Sequence, residues 1–215
     1  MFSERPANFG FRYNSALWSL VQRSPFGPAG RHAVGPRLVS LAAIFYGLLV
    51  VAAAIWCGLR GMELPIFGSR PAAGLALGVA TAFGTVALSL LTYRLVPITR
   101  KLAEELAPSL VDRADRSGLV LVAVFSGVGE EVFFRGAVQQ EFGILIASVA
   151  FGLAHVGPDR RYLLWTAWAV LAGLVFGLLF EATGGLLAPV VAHAAHNAAT
   201  LLIWKRSRQG GSPEA

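Results

Sequence analysis

Apolar residues gather into long blocks separated by short polar or basic stretches, and a block of about 20 is the length a helix needs to cross a bilayer. Six blocks predict spans at 38–59, 71–93, 118–140, 144–156, 162–180 and 186–204, the fourth being short for a crossing. The pattern predicts an all-α fold, a polytopic transmembrane bundle of about six helices. Residues 94–117 mix charges at helical spacing after Pro97, which predicts an interfacial helix; Glu104 and Glu105 there read as a solvated face. Residues 1–37 are rich in Pro, Gly and Arg and read as a cytoplasmic tail on anionic headgroups, with an amphipathic turn at 16–21 around Trp18 and a solvated His32.

Composition supports this reading. The 215 residues are 55% hydrophobic and 14% charged, with mean hydropathy +0.62, outside the range of soluble domains. A net charge of +6 could point to nucleic acid, but position decides otherwise. Of the 18 Lys and Arg, all but Arg60, Arg70 and Arg135 fall in the segments that six spans with both termini inside would leave in the cytoplasm. The basicity is therefore topological, and nucleic acid is excluded as a partner. The expectation is an integral protein of a bacterial inner membrane, N- and C-termini cytoplasmic, its first span acting as an uncleaved signal anchor. The single cysteine, Cys57, allows no intrachain disulfide and reads as a small apolar residue.

Candidate chemistry begins in the third span, where GEEVFFRG places Glu130, Glu131 and Arg135 among apolar residues. Each such charge costs about 2.5–3.5 kcal/mol at a helix centre, so the three should face protein or a wet cavity. Glu131 and Arg135, four residues apart, share a helix face and read as a buried ion pair. Glu130 is turned about 100° away and points at the cavity, where a partly desolvated carboxylate suits a general base. The first two spans hold no interior ionisable residue and read as packing helices, Gly74 and Gly78 marking a close approach; the fifth, with Gly173 and Gly177, reads as scaffold, with Glu181 in an outer loop.

The fourth segment carries His155, four residues after Phe151, and the sixth carries His193, His196 and Asn197 near mid-bilayer, with His193 and Asn197 on one face. Polar groups at that depth need partners, and the charges of the third span are the obvious ones. Glu130 and His155 could take and deliver protons while His193 and Asn197 stabilise an oxyanion, an inventory that fits amide hydrolysis by an activated water. On that reading no cofactor is required. Glu130, His155 and His193 could equally hold zinc or another divalent metal, although the helical HExxH pattern is absent. Depth is the difficulty: counted from the cytoplasmic end, Glu130 lies roughly 18 Å into its helix, whereas His155 sits near the end of its own. Tilt, or a fourth helix continuing past Val156, would bring them level.

The order EExxxR (Glu130, Glu131, Arg135), FxxxH (Phe151, His155) and HxxxN (His193, Asn197), each on an apolar helix, resembles the CPBP intramembrane proteases, the CAAX protease and bacteriocin-processing or Abi family. The resemblance covers about 118–204. It implies a four-helix catalytic core there, with two accessory spans and the interfacial helix at 38–117 and a basic tail at 205–215. By it, Glu130 and His155 activate water, Glu131 and Arg135 support them, and His193 with Asn197 forms the oxyanion site; the role of His196 stays open. It also implies an endopeptidase acting on membrane-embedded protein or peptide substrates: CAAX-type proteins, bacteriocin-related peptides or C-terminal sorting signals. Two other readings compete with a protease. A proton-coupled transporter would use the same Glu and His residues as a relay but lacks internal repeats, and a catalytically silent immunity or scaffold protein would need none of the motif residues intact.

Overall fold

The computed structural model describes residues 31–157 and 160–210, so the turn expected at 16–21 and the last residues of the basic tail lie outside the described part. Seven α-helices and no strand are found among the described residues: α1 Arg31–Arg60, α2 Pro71–Leu95, α3 Pro97–Val111, α4 Arg116–Phe133, α5 Ile144–Leu153, α6 Leu163–Thr183 and α7 Leu187–Gly210. The all-helical expectation holds. α1 starts at Arg31, inside what reads from sequence as tail. α4 continues through a π-helical stretch, Phe134–Gln139, into a last α turn at Gln140–Phe142.

Among the described residues five helices, not six, are long and apolar enough to cross a membrane: α1, α2, α4 with its continuation, α6 and α7. The fourth expected span is the exception. α5 has only 10 residues, because the turn at Gly143 (φ +82°) sends the chain back and the helix stops at Leu153, before Gly157. It is half a crossing, inserted beside α6.

α4 is the centre of the bundle. Over its most apolar stretch 56% of residues are buried, against 6–33% for the other four long helices. α1 runs parallel to it, Tyr46 against Gly129 and Cys57 against Gly136, and α7 runs antiparallel, Ala194 against Gly127. The small-residue faces pack as their spacing predicts: Gly78 receives Ala188 and Val191 of α7, and Gly173 receives Ser148 and Phe151 of α5. One end of the bundle closes on Leu38, Val111, Ala114, Leu119, Leu201 and Trp204, with Lys205 Nζ donating to the carbonyls of Val111 and Ala114 at 2.9 Å. The first described helix, α3 and the end of α7 therefore meet there. At the same end Asp115 caps α4, accepting from the Gly118 N–H at 2.8 Å and the Ser117 hydroxyl at 3.0 Å, which hold its carboxyl below the usual carboxylate range. The opposite end is tied by Leu186 and Leu187 N–H groups donating to the carbonyls of Pro65 and Ile66.

The α4–α7 seam is closest at Gly127, where an added Cβ would stand 2.8 Å from both the backbone nitrogen and the Cβ of Ala194. Backbone on both sides leaves nothing flexible to yield. Gly127→Ala is expected to destabilise the protein by about 1–3 kcal/mol, the usual cost of overpacking, read as a lowered thermal midpoint in detergent.

Candidate active site

Glu131 and Arg135 form the ion pair expected of them. Arg135 Nε lies 3.0 Å from Glu131 Oε2, and both side chains are wholly buried. Arg135 belongs to the π-helical stretch, and its Nη2 donates to the Gly173 carbonyl of α6 at 2.7 Å. The guanidinium carbon stands 4.7 Å from the centre of the Phe151 ring, inside cation–π range. Glu131 has a second partner: its Oε1 accepts from His193 Nδ1 at 2.7 Å. This carboxylate thus joins α4 to α7 and, through Arg135, to α6, so the helix read as scaffold also supplies an acceptor to the charged network.

Glu130 faces another way, as the helical angle predicts. Its Oε2 is buried, has no hydrogen-bond partner in the protein, and lies 3.7 Å from His155 Nε2. That separation is too long for a hydrogen bond. The His155 ring is oriented by its other nitrogen, which pairs with the Phe151 carbonyl at 2.7 Å. A carbonyl only accepts, so Nδ1 carries a proton and Nε2 of the neutral ring presents a lone pair toward Glu130. The depth difficulty disappears for a reason other than tilt or a longer helix. Glu130 lies 13 residues before Gly143 and His155 lies 12 after it, so the returning half-helix brings the histidine level with the glutamate. Counting from the far end of α4 measured from the wrong turn.

Phe151 is 3% exposed and is the packing centre of the site. Its ring lies 4.7 Å from that of His155, 5.8 Å from that of His193 and 5.1 Å from that of Phe134. Phe176 of α6 stacks on His193 at 5.1 Å. Asn197 lies one turn along α7 from His193, and its Nδ2 donates to Ser126 Oγ of α4 at 3.0 Å, leaving one amide N–H for another acceptor. His196 points elsewhere, to Thr85 Oγ1 of α2 at 3.0 Å. Glu130, Glu131, Arg135, Phe151, His155 and His193 therefore share one neighbourhood, Asn197 borders it on α7, and His196 faces out of it.

Three partners were not read from the sequence. Ser126 and Thr85 look like ordinary small polar residues of a membrane helix. Tyr46 is more telling: half-buried on α1, it packs on Gly129, the residue before Glu130. Tyrosine favours the membrane interface, and one placed mid-span needs a partner for its hydroxyl, a signal that was available.

Residues 114–199 match the family model described as type II CAAX prenyl endopeptidase Rce1-like. Over these residues, about two fifths of the chain, it is similar to the Rce1-like family. Every residue of the three motifs lies inside the Rce1-like segment, while α1 and α2 lie outside it. One similar protein is "Uncharacterized protein YpbD" of Bacillus subtilis (strain 168), 31% identical over 75 residues, 35% of this chain and 39% of that protein. The match thus spans about two fifths of that relative's length. No solved structure matches the chain.

As arranged, the Rce1-like segment does not assemble a metal cage. Among the described residues no three His, Cys, Asp or Glu side chains converge as ligands; Glu131 takes the Nδ1 of His193 and leaves its Nε2 open.

Proposed function

We propose that this protein is an intramembrane endopeptidase that hydrolyses a peptide bond of a membrane-anchored substrate with water activated by Glu130 and His155. The observation that carries the reading is the meeting of two acceptors, Glu130 Oε2, which has no hydrogen-bond partner among the described residues, and His155 Nε2, 3.7 Å away and oriented by the bond at its Nδ1. Two acceptors at that separation lie within reach of one water, which can donate a hydrogen to each. The similarity of residues 114–199 to the Rce1-like family supports the same class of chemistry.

In the proposed reaction Glu130 removes a proton from this water as its oxygen bonds to the scissile carbonyl carbon. The carbonyl π electrons move to oxygen, and the free amide N–H of Asn197 and the His193 imidazole stabilise the resulting oxyanion. Because Nδ1–H of His193 is committed to Glu131, His193 donates from Nε2 only when doubly protonated. The C–N bond then breaks as the proton held by Glu130, or relayed through His155, passes to the leaving nitrogen, giving a free amine and a carboxylate. Glu131 and Arg135 do not touch the reacting atoms; they hold His193 and the helices around it. The catalytic core is assigned to 118–204, in a bacterial inner membrane with both termini in the cytoplasm, supported by the basic residues gathered at the bundle end where α1 starts, α3 lies and α7 finishes.

The test is cleavage of a membrane-anchored reporter by the purified protein in liposomes, with proton flux measured in the same vesicles. Cleavage without flux is expected, and it should persist in the presence of EDTA or 1,10-phenanthroline, since no step uses a metal. Flux without cleavage would favour a transporter. Loss of cleavage on chelation, restored by zinc, would overturn the metal-free mechanism.

A further inference from the structure

We infer that Ser126 of α4 is a positioning residue for Asn197, holding its amide so that it presents a donor, and not an acceptor, to the reacting carbonyl. The inference rests on the proposed protease reading. Asn197 ends in a nitrogen and an oxygen of similar size, and only the nitrogen can stabilise an oxyanion. Something must choose between them. Ser126 is 5% exposed, and its hydroxyl donates to the Ala123 carbonyl of its own helix at 3.0 Å. A hydroxyl has one proton to give, so toward α7 the Ser126 oxygen only accepts. Asn197 therefore turns its Nδ2 to Ser126, at 3.0 Å, since the flipped amide would set two acceptors against each other.

The register that allows this bond is set by backbone. At Gly127, the next residue, α4 and α7 come so close that an added Cβ would stand 2.8 Å from the backbone nitrogen and the Cβ of Ala194. Ala194 follows His193 and lies three residues before Asn197, so the contact fixes the level of both residues against α4. Ser126 then fixes what helix packing cannot, the rotation of the Asn197 amide about its last torsion, a soft two-fold one. Both hydrogens of Nδ2 lie in the amide plane, so tying one to Ser126 aims the other. Without the hydroxyl the amide turns, and for part of the time it offers Oδ1, whose lone pairs repel the developing negative charge. The chain from Asn197 through Ser126 to the Ala123 carbonyl runs in one direction, and a serine that donates is polarised into a better acceptor.

The experiment uses the full chain and two readouts, one of them independent of turnover. Ser126→Ala is expected to lower kcat about tenfold, the effect of one hydrogen bond, with KM unchanged. Asn197→Ala should lower it about 100- to 1,000-fold, the loss of an oxyanion donor itself. Added to Asn197→Ala, Ser126→Ala should cost nothing more, because it acts only through the amide; a serine that merely packs the seam would slow both backgrounds alike. Ser126→Thr and Ser126→Val have the same shape and differ in the hydroxyl, so crowding is common to both, and the first should cleave about tenfold faster than the second. The second readout is the side-chain amide resonance of isotope-labelled asparagine, with Asn197→Asp identifying the signal of Asn197. The hydrogen bonded to Ser126 should resonate downfield; Ser126→Ala should move it upfield and Ser126→Thr should hold it. Unchanged kcat in a cleaving Ser126→Ala variant, or an equal loss in the Asn197→Ala background, overturns the inference and leaves the protease reading standing. Should the wild type cleave nothing, the protease reading fails and a role in catalysis fails with it. The resonance then decides alone whether Ser126 orients the amide, and an unmoved signal overturns that too.

Discussion

Glu130→Gln is expected to lower kcat for reporter cleavage by about 100- to 10,000-fold while KM changes little, the range associated with loss of a general base. The substitution is close to isosteric. α1 is seated on Gly129 rather than on this side chain, so it keeps its place, and the thermal midpoint should stay within the small shifts of a conservative change. What disappears is basicity: an amide cannot take the proton from water. Glu131→Gln, one residue away, is the informative contrast. It removes the partner of a wholly buried Arg135, so its loss of activity should come with loss of stability. If Glu130→Gln retained more than about a tenth of wild-type turnover, well above what loss of a general base leaves, Glu130 would not be the base.

How much of this was legible in the sequence follows from which physics is local. Five helices long and apolar enough to span, the helix at Pro97–Val111 and the Glu131–Arg135 pair depend on apolar length or on local helical geometry, both carried by single segments, and all are found in the structure. The fourth segment misleads because apolar composition over 144–156 does not say how far a helix goes; the turn at Gly143 and the stop after Leu153 do. The same miscount makes the depths of Glu130 and His155 look incompatible, when equal distances from one turn make them compatible. The meeting of the three motifs is legible only as a need for partners. Which partner each takes is not: His193 pairs with Glu131 rather than standing free, and His196, indistinguishable from it by hydropathy, faces Thr85.

The largest stability effect is expected at Arg135. Its guanidinium has no exposed surface and is held by Glu131, by the Gly173 carbonyl and by the faces of Phe151 and Phe176. Arg135→Met fills similar volume but leaves the Glu131 carboxylate buried without its cation and the Gly173 carbonyl without its donor. Breaking a buried pair in this way costs about 3–5 kcal/mol, and thermal unfolding in detergent should show it as a large drop in midpoint. Arg135→Lys keeps a charge near Glu131 but cannot also reach Gly173 with a planar fork, so its loss should be intermediate. The double variant Glu131→Gln with Arg135→Met leaves no unpaired charge and is expected to be more stable than Arg135→Met alone, since an apolar or neutral pair in a buried site is often no worse than an ionic one. If so, stability alone does not explain why this pair is ionic. The carboxylate of Glu131 is also what His193 Nδ1 donates to, and that bond fixes the ring so that its Nε2 is presented to an oxyanion. The double variant should therefore fold well and cleave poorly, separating what the ion pair does for the fold from what it does for His193. A double variant that folds and cleaves at the wild-type rate would show that the charge on Glu131 has no part in the reaction.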